Sequence, residues 1–162
     1  VSFKYPCFLS YAHAKETLLQ SFNVQLTAAL KAVFEPWGFQ DNLWLDRDRT
    51  QLGSELPATL GQAICESACV VVIVTPLYFQ RPICRQEFAT ALRVEREHLA
   101  ALEGYLGKKE RLIVPIIFRW DDSDALPESL ADQIWADCRN FSLTNTDLKS
   151  NEVLLKQLEK LA

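Results

Sequence analysis

The run Val70-Val71-Val72-Ile73-Val74, stopping at Thr75-Pro76, constrains the fold more than any other part of this chain. Consecutive β-branched residues without polar alternation describe a strand buried on both faces, as in the middle of a parallel sheet. Such a strand needs helices above and below it. Its C-terminal end leads to the crevice where open α/β sheets hold their ligands. Beyond it the chain runs through Leu77-Tyr78-Phe79-Gln80 and restarts as a helix near Pro82, a residue suited to a first helical turn.

The flanking segments repeat this alternation. Tyr5 to Tyr11 reads as an aromatic-rich strand ending in Ser10-Tyr11. Leu18, Phe22, Leu26, Ala29/Leu30, Val33 and Trp37 then recur at helical spacing to about Glu35, where Pro36 and Gly38 close the helix. Leu43-Trp44-Leu45 is a very short second strand. Asp46-Arg47-Asp48-Arg49 opens a surface loop reaching Gly53, because alternating charges are costly to bury. Ser54 suits an N-cap, with Pro57 in the opening turn and Leu56, Leu60, Ile64 and Ser67 along one helical face.

After the central strand, Phe88, Ala91/Leu92, Glu95, Leu99 and Leu102 trace a mostly apolar helix face ending at Gly104. Leu112 to Phe118 is a further strand, and a short helix near Pro127 to Ala131 leads to a last strand around Trp135 to Phe141. Leu154, Leu155, Leu158 and Leu161 mark the closing helix. Five alternations of strand and helix specify a parallel sheet covered on both faces.

Composition narrows the function classes. At 162 residues the chain is expected to form one domain, 1–162. A net charge of -4, with scattered Lys and Arg, argues against nucleic-acid binding, which needs clustered cations. No apolar run approaches the roughly 18 residues of a membrane span, and no signal peptide opens the chain. A cytoplasmic domain cut from a larger protein is expected, since the sequence contains no Met.

The five cysteines are odd in number and read as buried free thiols of a reducing compartment. Cys65 and Cys69 lack tight zinc-site spacing, with only His13 and His98 to assist them. Asp121-Asp122-Ser123-Asp124 lacks EF-hand spacing and reads as a solvated turn. No metal is expected.

One carboxylate stands out. Glu87 follows Ile83 by one helical turn and sits at the margin of the apolar face beside Ala91. It is either a functional group at the crevice or an ordinary solvent-facing helix residue. Ser10 and Tyr11 end the first strand on the same sheet edge as Thr75. They either line the pocket, by a hydrogen bond and by stacking, or are simply polar strand ends. Asp46 and Arg47 are either ribose or diphosphate contacts or solvated loop charges. Trp44 either packs the core edge or lines the pocket mouth.

Taken in order, these motifs resemble a Toll/interleukin-1 receptor (TIR) domain over nearly the whole chain. Phe8-Leu9-Ser10-Tyr11 resembles the family's first strand and its exit. Leu45-Asp46-Arg47-Asp48 with Gly53 resembles the loop after the second strand. Ser67 through Thr75, then Tyr78, Cys84-Arg85 and Glu87-Phe88, resembles the third strand and the helix bearing the family's catalytic glutamate. Two departures stand beside these matches: Ile83 where enzymatic members often carry Trp, and Leu52 where Pro often precedes the Gly. The missing Phe-Trp box of receptor members pulls the resemblance toward bacterial members.

The resemblance implies a flavodoxin-like three-layer α/β fold, a five-stranded parallel sheet in order 2-1-3-4-5. It implies cleavage of the nicotinamide–ribose bond of NAD by Glu87, with hydrolysis or cyclisation, NAD as substrate and no cofactor. Ser10, Tyr11, Trp44, Asp46, Arg47, Thr75, Tyr78 and Ile83 become substrate-binding candidates. With no aromatic at Ile83, stacking falls to Tyr11, Trp44 or Tyr78, of which Tyr11 is favoured. The implied partners are other TIR domains, by homotypic association, and a sensor domain elsewhere in the full-length chain, in bacterial immune or stress signalling. The alternative is a non-catalytic scaffold acting by association. A phosphorelay receiver shares the fold but needs acidic residues after strand one and an Asp after strand three, where this chain has Ser10-Tyr11 and Thr75-Pro76. A nucleoside deoxyribosyltransferase is a more distant reading.

Overall fold

The computed structural model describes residues 3–13, 17–38, 43–45, 58–101, 111–121, 126–131, 136–148 and 151–159. Its sheet contains β1 (Tyr5–Ser10), β2 (Trp44–Leu45), β3 (Ser67–Val74), β4 (Ile113–Ile117) and β5 (Ala136–Asp137). The strands are all parallel and run in the order β2-β1-β3-β4-β5. This is the expected order. The strand sequence reverses direction between β1 and β3, so the crevice of this fold class lies at their C-terminal ends.

β3 owes its central place to having two buried faces. Val71 and Ile73 pack on one side with Phe22, Leu26 and Leu30 of α1 (Thr17–Phe34) and Leu154 and Leu158 of the closing helix. Val70, Val72 and Val74 pack on the other, with Leu60 and Ile64 of α2 (Ala58–Cys65) and with Phe88, Ala91 and Val94 further along the chain. Alternate residues of one strand thus belong to two separate cores, which explains why its sequence has no polar alternation. β1 obeys the same rule: Cys7 and Leu9 face α1, whereas Phe8 faces α2.

Between β3 and the Glu87 helix the structure inserts α3 (Pro76–Gln80), a turn of helix absent from the sequence reading. Thr75 is its N-cap, with Oγ1 accepting the Tyr78 N–H at 3.1 Å, and Pro76 occupies the first turn. Cap and proline were both visible in the sequence, but five residues are too few for a periodic apolar signal. α4 (Pro82–Ala101) then starts at the expected proline. The remaining helices are α5 (Glu128–Ala131) and α6 (Glu152–Leu158).

Two boundaries differ from expectation. Ser67 belongs to β3 rather than to the preceding helix, and its Oγ donates to the Ala63 carbonyl at 2.7 Å, closing the tight α2–β3 turn. The last strand ends at Asp137, because Phe141 N–H returns to the Cys138 carbonyl and turns the chain. α1 gives way, near Glu35 as expected, to a short 3₁₀ turn, Glu35–Trp37, ended by Gly38 at φ 82°. That left-handed conformation is open to glycine without strain. Ser54 and Pro57 lie outside the described residues. No helix among the described residues is long and apolar enough to cross a membrane.

Candidate functional site

The C-terminal ends of β1 and β3 bring together three residues far apart in sequence. Ser10, the last residue of β1, projects to the α2–α4 side of the sheet and is fully buried. α4 runs back across this face and places Glu87 above it. Ser10 Oγ donates to Glu87 Oε2 at 2.6 Å, within the range for a hydroxyl on a carboxylate. The Tyr78 hydroxyl, carried by α3, lies 2.7 Å from the same Ser10 oxygen. Ser10 has a single hydroxyl proton, and it is directed at Glu87. Tyr78 is therefore the donor in the second bond. The order of donation runs from Tyr78 to Ser10 to Glu87.

Glu87 and Tyr78 both have a relative exposure of 0%. This differs from the sequence expectation of a carboxylate at the margin of the apolar face. α2, α3 and α4 pack together on this side of the sheet, and one-dimensional periodicity cannot register cover supplied by neighbouring elements. Burial also revises the expected cost of substitution. Removing the Glu87 side chain leaves the inner hydroxyl of Ser10 without its acceptor, a loss of about 1–3 kcal/mol.

The other candidates fall at graded distances from this group. Thr75 is nearly buried and acts through the α3 cap that places Tyr78. Ile83 is half-buried against the α2–α4 core, one turn before Glu87. Tyr11 packs instead with the α1-side core, the opposite sheet face from Ser10, and its ring stacks on His13 at 4.7 Å. The wholly buried ring of Tyr78 packs edge-on to Phe79 and presents no open stacking face. Trp44 pairs with Phe8 in the sheet register. Asp46 and Arg47 lie outside the described residues.

All five cysteines are free, but only Cys7, Cys84 and Cys138 are buried as expected; Cys65 is exposed and Cys69 half-buried. A side-chain hydrogen bond with Cys69, together with burial, pushes the Cys7 thiol well above its ordinary value. Burial, aided by the Asp137 charge, pushes Cys138 up to about 12. Both remain protonated and unreactive near neutral pH. Cys84, which is buried one turn before Glu87, directs its Sγ to the Tyr11 carbonyl at 3.8 Å. No group of three or more metal-ligating side chains occurs among the described residues.

Sequence reasoning passed over a second buried carboxylate. Glu95, also on α4, accepts from the backbone N–H groups of Leu112 and Ile113 at 2.9 and 3.0 Å and from Arg111 at 3.2 Å. It sits at the start of β4, on the sheet edge opposite the Ser10 group. Its only sequence signal was its position on an otherwise apolar helix face.

Comparison with known proteins agrees with the architecture. The TIR domain of the Toll-related receptor TRR-2 from Hydra magnipapillata superposes with a TM-score of 0.53 at 17% identity, over 95% of this chain and 98% of that one. The TIR domains of the activated Roq1 resistosome, which directly recognizes the pathogen effector XopQ, give a TM-score of 0.51 at 18% identity. That match covers 97% of this chain and 82% of the other. At such identities the likeness concerns the fold. A comparison with curated proteins found no match. The TIR domain family profile matches residues 7–150, and on that extent of match the chain belongs to the TIR domain family.

Proposed function

We propose that this domain cleaves the nicotinamide–ribose bond of NAD, with Glu87 as the catalytic residue. The observation that carries the reading is a buried carboxylate, held by a hydroxyl, where the strand order reverses at the C-terminal ends of β1 and β3. Open α/β sheets bind ligands at that point. TIR domains include NAD-cleaving enzymes and others that act without catalysis, so family membership permits the reading and the carboxylate favours it.

The chemistry asks little of the protein. When the C1′–N bond breaks, its electron pair goes to the pyridinium nitrogen and nicotinamide departs neutral, so no general acid is required. Positive charge gathers on the ribose, as in the oxocarbenium-like transition state of glycoside hydrolysis. A carboxylate at this point stabilises that charge, or holds the ribose hydroxyls. Water then bonds to C1′ and releases a proton, giving ADP-ribose; an adenine nitrogen in place of water gives a cyclic product.

Complete burial of Glu87 has a consequence for this reading. Substrate reaches the carboxylate after its cover has moved, so the competent state is a minor one in the resting molecule. Homotypic association, to which TIR domains are given, would favour the open state and make activity depend on concentration. A sensor region elsewhere in the full-length protein would drive that assembly.

Nicotinamide release from NAD by concentrated or artificially clustered protein, followed by chromatography, tests the reading. Release by the native protein and its absence in Glu87→Gln is the expected result. Equal release by both removes Glu87 from the mechanism. Specific activity that stays flat over a wide dilution series removes the assembly step.

A non-catalytic scaffold is the second reading. It is favoured by the same burial and by Ile83, which provides no aromatic face beside Glu87. Homotypic association of a protein that never releases nicotinamide, even when clustered, would decide for it.

A further inference from the structure

Tyr78 stands in an unusual position for a core tyrosine. Its ring packs edge-on to Phe79, and it belongs to the apolar cluster that also holds Phe88, so a phenylalanine would serve the same packing. The hydroxyl adds a desolvation cost that needs a partner. It lies 2.7 Å from Ser10 Oγ. Three local features hold the phenol there: the Thr75 cap on the Tyr78 N–H, Pro76 in the first turn, and the bond from Arg81 N–H to the Tyr78 carbonyl.

We infer that Tyr78 is a positioning residue for Glu87, acting through Ser10. A serine hydroxyl can rotate and donate to nearby backbone carbonyls instead of a distant side chain. By donating into the Ser10 oxygen, Tyr78 occupies a lone pair and leaves the Ser10 proton directed at Glu87 Oε2. The carboxylate is then fixed by a chain that joins α3, β1 and α4. The short helix between β3 and α4 gains a purpose from this: it delivers a phenol to the end of β1. The catalytic consequence rests on the proposed role of Glu87; the positioning itself does not.

The test is a double-mutant cycle with Tyr78→Phe, Ser10→Ala and the pair. With NAD as substrate, Tyr78→Phe is expected to lower kcat about tenfold and leave KM within twofold, because a positioning residue acts on Glu87 through Ser10 and not on the substrate. Ser10→Ala lowers kcat at least as far, and the double variant falls no further than Ser10→Ala alone. A Tyr78→Phe effect that persists in full in the Ser10→Ala background overturns the inference.

A second readout is independent of turnover. The infrared carboxylate stretch assigned to Glu87, by its loss in Glu87→Gln, is expected to move in Tyr78→Phe. It should move the opposite way on uniform 3-fluorotyrosine labelling, which strengthens the phenol as a donor and changes the ring by one fluorine for hydrogen. The labelling arm applies even if Tyr78→Phe does not fold. A band that stays in place in the labelled protein overturns the inference whether or not NAD is cleaved. A band that moves in a protein that never cleaves NAD supports the positioning and fails the enzymatic reading alone.

Discussion

The two ends of α4 each bury a glutamate, and they do so in opposite ways. Glu95 meets the start of β4, where the Leu112 and Ile113 amides and the Arg111 guanidinium converge on it. Backbone donors are fixed by the sheet and cannot turn away. Glu87, eight residues and about 12 Å earlier along the helix, takes its bond from the Ser10 hydroxyl. A hydroxyl is a rotor whose direction depends on its own partners. The first arrangement ties a helix to a strand. The second holds a carboxylate in a way that a substrate's hydroxyls could replace. Burial is common to the two glutamates; what separates them is a donor free to rotate at Glu87 and donors fixed by the sheet at Glu95.

The largest effect expected is on chemistry. Glu87→Gln keeps the side-chain volume and an acceptor for Ser10, so stability should change by no more than about 1 kcal/mol. Nicotinamide release should fall about 1,000-fold, equivalent to roughly 4 kcal/mol of transition-state stabilisation. Release rates beside thermal unfolding check both halves. A glutamine variant that unfolds as readily as a Glu95 variant would erase the contrast.

Next comes Glu95→Ala, which strands two buried amides at the head of β4. A loss of about 3 kcal/mol in urea unfolding is expected. Nicotinamide release per folded molecule should be unchanged at low temperature, because Glu95 lies at the far sheet edge. A drop in turnover without a drop in stability would place Glu95 in the site after all.

Ile83→Trp probes the Glu87 end more gently. Ile83 is only half-buried, one turn before Glu87, so a larger ring has a route to the surface. Stacking on a base is worth about 1–3 kcal/mol elsewhere, so KM for NAD should fall about fivefold or more. Tyr11→Ala, on the opposite sheet face, should now do less than its place at the end of β1 suggested. Steady-state kinetics of the two variants decide where the substrate lies.

The smallest effect serves as a control at a surface pair. Arg139 hydrogen bonds hold the Asp137 carboxyl below its usual value, although burial acts the other way. Because the folded value is the depressed one, this contribution is present above about pH 4 and is lost as pH falls through the folded value. The pair is well exposed, so Arg139→Ala should cost about 0.5 kcal/mol at pH 7. Once pH has fallen below the folded value, the difference from the native protein should vanish. Denaturant midpoints at pH 7 and down an acid series measure it.

The sheet was legible because hydrophobic burial writes directly into sequence. Val70–Val74 can be satisfied only by helices on both sides, and both cores are present. The Pro82 start of α4 and the Gly38 stop after α1 were equally readable, since each acts through its own backbone geometry. The group around Glu87 was legible only in part. Ser10, Tyr78 and Glu87 were each singled out, but as separate contacts to a substrate.

Their joining was decided by tertiary structure. Ser10 and Glu87 are 77 positions apart, and their bond exists because β1 and β3 are neighbours and α4 returns over both. No local pattern encodes which hydroxyl will face which carboxylate. The same limit hid Glu95, whose donors come from a strand 17 and 18 residues further on. By itself the sequence determined the layers, the parallel sheet and the candidate carboxylate, because burial and backbone geometry act residue by residue; the strand order came with the family resemblance. Tertiary structure alone decided that one glutamate would be held by fixed amides and the other by a hydroxyl, since a hydrogen-bond partner is a property of packed elements and not of either residue.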